Sequence, residues 1–168
     1  MTKTELIEEL QKAFEGETKN RPMLSHEDAV HMRARIIMMR PDDVPFYLAC
    51  VLRDVVESYS GTREGMDDVE ILVDYLDVGT RVDKDLIGGH YGEGEVAYEM
   101  KIADKLRQAK LAGFRSITRD QAAAIHDWLA LVIEWGVLVW EEETARSAMG
   151  YWRVRKEVGE EGVSPQMR

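Results

Sequence analysis

The sequence has a single cysteine and no apolar run long enough to cross a membrane. Cys50 has no second cysteine to pair with, and it lies in the apolar stretch FYLACVL, where a free thiol usually behaves as a small buried hydrophobic group. A membrane-spanning helix needs about 18 or more consecutive apolar residues, and the charged N-terminal stretch MTKTELIEEL lacks the apolar segment of a signal peptide. We therefore expect a cytoplasmic protein that does not associate with membranes, and a reactive or metal-binding thiol is the alternative for Cys50.

Strong compositional bias is also missing. The 168 residues are 45% hydrophobic and 32% charged, close to the average of globular proteins, which excludes wholesale disorder and fibrous repeats. A chain of this length buries roughly two thirds of the surface that its unfolded form exposes. We predict one domain over residues 1–158, followed by a loose tail at 159–168.

Positive charge is scarce in the middle of the chain. The net charge is −10, and residues 54–77 contain eight carboxylates against one cation, Arg63. Such a field repels nucleic acid and attracts a basic protein, although acidic helices can also serve solubility alone. We predict no nucleic-acid binding and a protein-binding surface made of Asp54, Glu57, Asp67, Asp68, Glu70, Asp74 and Asp77.

Helical periodicity and capping patterns account for most of the sequence. A serine or threonine stands three residues before an acid or amide at several helix starts, in the pairs Thr2 and Glu5, Ser25 and Asp28, and Thr118 and Gln121. No alternating segment is long enough for a sheet. The predicted class is all-α, an irregular bundle of six to seven helices around a central apolar helix at about 118–135.

Two of these helices carry specific expectations. The helix that starts after Ser25 is predicted to continue to Arg40, because Pro41 cannot extend it. The helix before Thr118 is predicted to turn Ile102, Leu106 and Ala109 toward the core and to end at Gly113.

The stretch SHEDAVHM at residues 25–32 is similar to the zinc-binding pattern H-E-x-x-H. His26 and His31 are five residues apart, however, which separates them by about 140° around a helix. Two such side chains do not reach one ion on a regular helix. The stretch is therefore interpreted as a helix start with a Ser25 cap, and Glu27 and His31 form an i, i+4 pair.

Residues 79–94 contain five glycines and no clear period, which predicts an exposed loop. His90, Tyr91, Glu93 and Glu95 could converge here as acid, base or ligands. His90 and Glu93 could also fold over the acidic helix beside Asp67 or Asp74. A flexible linker is the alternative interpretation. No dedicated metal site and no cofactor are predicted.

Other candidate groups receive structural interpretations. His126 is interpreted as a satisfied, partly buried histidine and not as a catalytic base. Two small basic patches, Arg33 with Arg35 and Arg40, and Arg153 with Arg155 and Lys156, are interpreted as solvated faces or as intramolecular partners of the acidic segment. The aromatic side chains Trp140 and Trp152 could anchor a homodimer.

Three segments, PFYLACVLRDVV, GFRSITRDQAAAIHDWLALV and ARSAMGYW, resemble a family of small bacterial proteins known as a domain of unknown function. The resemblance covers about half of the chain, and the matching motifs are structural. Arg119 and Asp120 stand where that family usually has Pro-Glu, and the segment 79–94 has no counterpart. The resemblance implies a bacterial helical protein and supplies no catalytic residue.

The sequence therefore favours a non-enzymatic helical domain that binds another protein through its acidic surface, as a toxin-neutralising or regulatory accessory protein does. One alternative is a small metal-assisted hydrolase with its site near residues 88–95. Another is a structural homo-oligomer.

Overall fold

The computed structural model describes residues 1–62, 67–79, 93–138 and 142–158, with the backbone alone at 67, 68 and 93–96. Every regular element in these ranges is helical, which confirms the predicted all-α class. The α-helices are Lys3–Ala13 (α1), Glu15–Thr18 (α2), His26–Arg33 (α3), Val44–Ser58 (α4), Asp67–Leu76 (α5), Glu93–Phe114 (α6), Arg119–Glu134 (α7) and Glu142–Val158 (α8). Two 3₁₀ turns, Ile36–Met38 and Pro41–Asp43, connect α3 to α4.

The centre of the bundle is formed by α4 and α7. Helix α4 is buried on almost all sides and packs against α1, α2, α3 and α6, whereas α7 packs against α1 and α8. The indole Nε1 of Trp128 on α7 donates to the backbone oxygen of Leu52 on α4 at 3.0 Å, so this fully buried side chain also satisfies its polar atom. None of the described helices combines the length and the apolar composition that a membrane span requires.

Helix starts are stabilised locally, as the sequence predicts. The hydroxyls of Thr2, Ser25 and Thr118 accept hydrogen bonds from the backbone three residues later. At Thr2 and Thr118 the side chain three residues later, Glu5 or Gln121, also accepts a hydrogen bond from the backbone N–H of the threonine, which completes a capping box. At least one of the orphan N–H groups at each of these three helix starts is therefore satisfied by a residue close in the chain.

Three helix ends are stabilised by residues that are distant in the chain. Helices α4, α5 and α6 have no basic residue in their last turns, although their free carbonyls and helix dipoles concentrate negative charge there. In each case a cation from another helix donates to these carbonyls. We call Lys3 of α1, Lys110 of α6 and Arg155 of α8 the cross-helix caps.

The cross-helix caps each donate to two backbone oxygens. Lys3 binds the oxygens of Glu57 and Tyr59, both at 2.9 Å. Lys110 binds those of Asp74 and Asp77, the latter at 3.0 Å, and Arg155 binds those of Phe114 and Ile117 at 2.9 and 2.8 Å. Since Lys110 and Arg155 are themselves buried, these bonds offset the cost of removing two cations from water.

The cap at Lys110 also explains why the predicted orientation of α6 is wrong. Leu106 and Ala109 are exposed, and Ile102 is only partly buried, because the face that carries Lys110 and Phe114 turns inward. Helix α3 is shorter than predicted as well. It ends at Arg33, and the chain then turns so that Ile36 is buried while Met38 faces solvent.

Gly113 lies inside α6 and does not end the helix. A Cβ at this position would lie 3.0 Å from both the Tyr75 hydroxyl and Val44 Cγ2, and these two residues are buried. Gly113 therefore permits close approach of α6 to the core. Gly150 in α8 differs, because a Cβ there would meet nothing within 4 Å in the part of the chain that the structure describes.

These two glycines make a matched pair for measurement. We expect Gly113→Ala to lower the free energy of unfolding by about 1 kcal/mol, because overpacking outweighs the helix propensity of alanine. Gly150→Ala should raise it by up to about 1 kcal/mol, since only the propensity term applies. Urea denaturation of both variants measures the difference, and a stabilised Gly113→Ala variant would show that α6 does not approach the core so closely.

Candidate binding surfaces

Two of the seven predicted protein-binding carboxylates lie inside the bundle. The Asp77 residue is 3% exposed, and its Oδ1 accepts hydrogen bonds from the Gly79 backbone N–H at 3.1 Å and from the Ser147 hydroxyl at 3.0 Å. The Asp54 side chain is 13% exposed and pairs with Arg33 and His26. Neither carboxylate is presented to a partner, because each is already bound within the fold.

The other predicted carboxylates differ in exposure. Glu57 is exposed and pairs with Arg53 at 2.6 Å, whereas Glu70 is partly buried and has a partner of its own. The Asp74 side chain is 62% exposed, and its Oδ2 also forms an ion pair with Lys110 Nζ at 3.4 Å. The neighbouring Ile71 is 45% exposed although it is a large apolar residue. The side chains of Asp67 and Asp68 lie outside the described part, so their role stays a prediction.

The cluster around Arg33 is an internal ion-pair network. Arg33 Nη2 donates to Asp54 Oδ2 at 2.6 Å, and His26 Nδ1 lies 2.8 Å from Asp54 Oδ1. The Arg33 residue is 1% exposed, and its Nε and Nη1 find no hydrogen-bond partner among the described residues. Arg33 is thus an intramolecular partner of the acidic segment, one of the two predicted interpretations of its patch, and it depends on Asp54 for charge compensation.

We expect Asp54→Ala to destabilise the protein by about 3–5 kcal/mol, because it leaves the Arg33 guanidinium buried without a counter-charge. The double variant Asp54→Ala with Arg33→Met should recover part of this loss, since it removes the unpaired donors as well. Urea denaturation of the two variants provides the test. If Asp54→Ala lowers the free energy of unfolding by less than about 1 kcal/mol, the Arg33–Asp54 ion pair contributes no more than a solvent-exposed ion pair does.

The two histidines of the segment 25–32 have separate partners. His31 Nδ1 lies 2.8 Å from the backbone oxygen of Glu27, while His26 turns to Asp54 on α4. Within the described ranges, no three His, Cys, Asp or Glu side chains are grouped so that they could hold a metal ion. His90 and Tyr91, and the side chain of Glu93, lie outside the described residues, so the alternative site at 88–95 stays a prediction.

Cys50 and Trp152 are both core residues. Burial raises the pKa of the Cys50 thiol above its ordinary value, and its Sγ lies 3.8 Å from Met23 Sδ. The Trp152 ring is fully buried, packs edge-on against Phe114, and donates from Nε1 to the Leu76 oxygen at 3.0 Å. Trp152 is therefore not available as an exposed dimer anchor, and Trp140 lies outside the described residues.

A groove between α7 and α8 was not predicted as a site. It has a volume of about 270 Å³ and is lined by His126, Arg146, Met149, Gly150 and Arg153. We call this the α7–α8 groove. Its α8 residues have the spacing i, i+3, i+4 and i+7, which places them on one face and is visible in the sequence. Which residue of α7 faces them is a tertiary fact that the sequence does not give.

His126 is oriented by its neighbours at the edge of the groove. Its Nδ1 lies 2.7 Å from Asp127 Oδ1 and 3.2 Å from Lys156 Nζ. One nitrogen cannot donate to the carboxylate and accept from the ammonium at once, and the shorter contact assigns the Nδ1 proton to the bond with Asp127. Burial, followed by the charge of Asp127, raises the pKa of the nearby Glu9 carboxyl on α1. The histidine is partly buried and bonded, but it also borders an open groove.

Comparison with family models, curated proteins and solved structures finds no match for this chain. The resemblance to the bacterial family of unknown function thus gains no support from a family match and stays a prediction. Any functional assignment rests on the geometry of the surfaces described above.

Proposed function

We propose that this helical domain binds a basic protein partner through the outer face of α5, formed by Glu70, Ile71 and Asp74. The observation that carries the proposal is the exposed Ile71 beside the exposed Asp74 carboxylate. Protein interfaces commonly combine an apolar centre with a polar rim, and residues three apart on a helix are neighbours. A basic partner with an apolar contact point complements this face.

The charge of the whole chain supports the same partner class. A net charge of −10 steers basic proteins toward the surface and repels nucleic acid. The Asp54 side chain and the Asp77 residue are only 13% and 3% exposed, so the predicted surface is reduced to its exposed members, of which Asp74 on α5 keeps 62% of its side chain exposed beside its ion pair with Lys110. Such a protein acts by contact, as a regulatory or toxin-neutralising accessory protein in the cytoplasm does.

The test compares three baits in pull-downs from the source lysate, each at about 0.1 M and about 1 M salt, where charges are screened beyond about 10 Å and about 3 Å. The first bait is the wild type and the second carries Ile71→Ser with Asp74→Asn. The third carries Leu106→Ser with Asp104→Asn, which removes an equally exposed apolar residue and one exposed carboxylate from α6.

We expect a basic protein that the wild type and the α6 variant retain at low salt, and that the α5 variant loses. Its purified form should bind the α5 variant at least about tenfold more weakly, which corresponds to about 1.4 kcal/mol. Equal recovery by all three baits would contradict a role for α5, and so would a partner whose binding is indifferent to salt.

A further inference from the structure

The α7–α8 groove is open at its base because the residue there is Gly150, which has no side chain, although the fold does not require a glycine at this position. A Cβ at Gly150 would meet no described atom within 4 Å, and the residue lies in the middle of α8. Glycine in a helix interior costs about 1 kcal/mol relative to alanine. Close packing against a neighbour therefore does not explain why this residue is a glycine. A side chain at this position would extend into the groove between Arg146 and Arg153, so the glycine keeps the groove open.

The groove also holds uncompensated positive charge in an acidic protein. Arg153 is exposed and makes no hydrogen bond or ion pair within the part of the chain that the structure describes. Among the carboxylates near the groove, Glu142 is engaged with Arg146 at 2.7 Å and Asp127 with His126 at 2.7 Å, while Glu9 on α1 lies near Asp127 and Lys156. The local field at Arg153 thus favours an anion.

The shape of the groove indicates what kind of anion fits. Its volume of about 270 Å³ exceeds that of a single ion, and Met149 gives it one apolar wall. Arg146 leans toward Glu142, to which it donates at 2.7 Å. Because side chains on a helix lean toward its N-terminus, we expect Arg153 to lean over Gly150. A guanidinium matches the planar or tetrahedral oxygens of a carboxylate or a phosphate.

We propose that the α7–α8 groove binds a small organic anion with a carboxylate or phosphate head group. Arg153 holds the head group over Gly150, with His126 beside it as a further polar contact, and Met149 packs against the organic body of the ligand. Arg146 closes the other end of the groove. This site is separate from α5, so it stands independently of the proposed protein partner.

The experiment titrates ¹⁵N-labelled protein with four probes and follows amide and arginine Nε resonances by NMR. The probes are phenyl phosphate, benzoate, inorganic phosphate and neutral benzyl alcohol. We expect saturable shifts centred on residues 146–153 with phenyl phosphate or benzoate, and weaker binding of inorganic phosphate and benzyl alcohol. Whichever of the two aromatic anions binds more tightly identifies the head group.

Two groove variants and one control complete the test. Arg153→Met should weaken binding at least about tenfold, because it removes a charged hydrogen bond, and Gly150→Leu should abolish binding by filling the groove. Arg115→Met removes an exposed arginine outside the groove and should leave affinity unchanged. The amide spectra themselves report that each variant is folded.

Three results would overturn the proposal. The first is no saturable shift at residues 146–153 with either aromatic anion. The second is equal affinity of the wild type, Arg153→Met and Gly150→Leu, which would indicate non-specific attraction. The third is binding of inorganic phosphate or benzyl alcohol as tight as that of the aromatic anions, because the site would then not recognise an anionic head and an organic body together.

Discussion

The constraint on which this bundle depends is the negative charge at the ends of α4, α5 and α6. Each of these helices ends without a basic residue of its own, and each receives a cation from another helix. A hydrogen bond to a charged group contributes about 1.5–3 kcal/mol, so the cross-helix caps Lys3, Lys110 and Arg155 together stabilise the fold substantially. They also fix which helices are neighbours, since α1 must reach α4, α6 must reach α5, and α8 must reach α6.

This use of cations inside the fold shapes the surface. With 22 basic against 32 acidic side chains in the chain, every cation that caps a helix or pairs internally leaves the exterior more negative. Arg33, Lys110 and Arg155 are all buried in this way. Two exposed charges of opposite sign stand out on this surface: the Asp74 carboxylate, which is 62% exposed, and the Arg153 guanidinium, which has no partner among the described residues. Each suits a different class of ligand.

The sequence predicts the parts of the fold that depend on neighbours in the chain. The capping boxes at Thr2 and Thr118, the apolar faces of α4 and α7, and the pair Glu142 with Arg146 all follow from spacings of three or four residues. The inward face of α6 does not, because local periodicity treats Lys110 as a surface residue. Its burial results from carbonyls that lie more than thirty positions away in the chain.

The candidate sites likewise combine features that follow from the sequence with features that only the tertiary structure gives. Sequence identifies the concentration of carboxylates at 54–77, but it cannot tell that Asp54 and Asp77 are bound inside the fold while Asp74 is exposed. The spacing of Arg146, Met149, Gly150 and Arg153 is readable, yet only packing of α7 against α8 brings His126 to them. A geometric argument from helix periodicity did suffice for His26 and His31, whose partners are indeed different.

Amide hydrogen exchange in a Lys110→Met variant tests the role of the cross-helix caps most directly. Methionine retains most of the length and apolar surface of lysine but cannot donate to the oxygens of Asp74 and Asp77. We predict that protection in α5 falls more than protection in α1 and α4, because the end of α5 loses its cap while those helices keep theirs. Protection in α5 that matches the wild type would contradict the account, since the end of that helix would then be stable without a cation from α6.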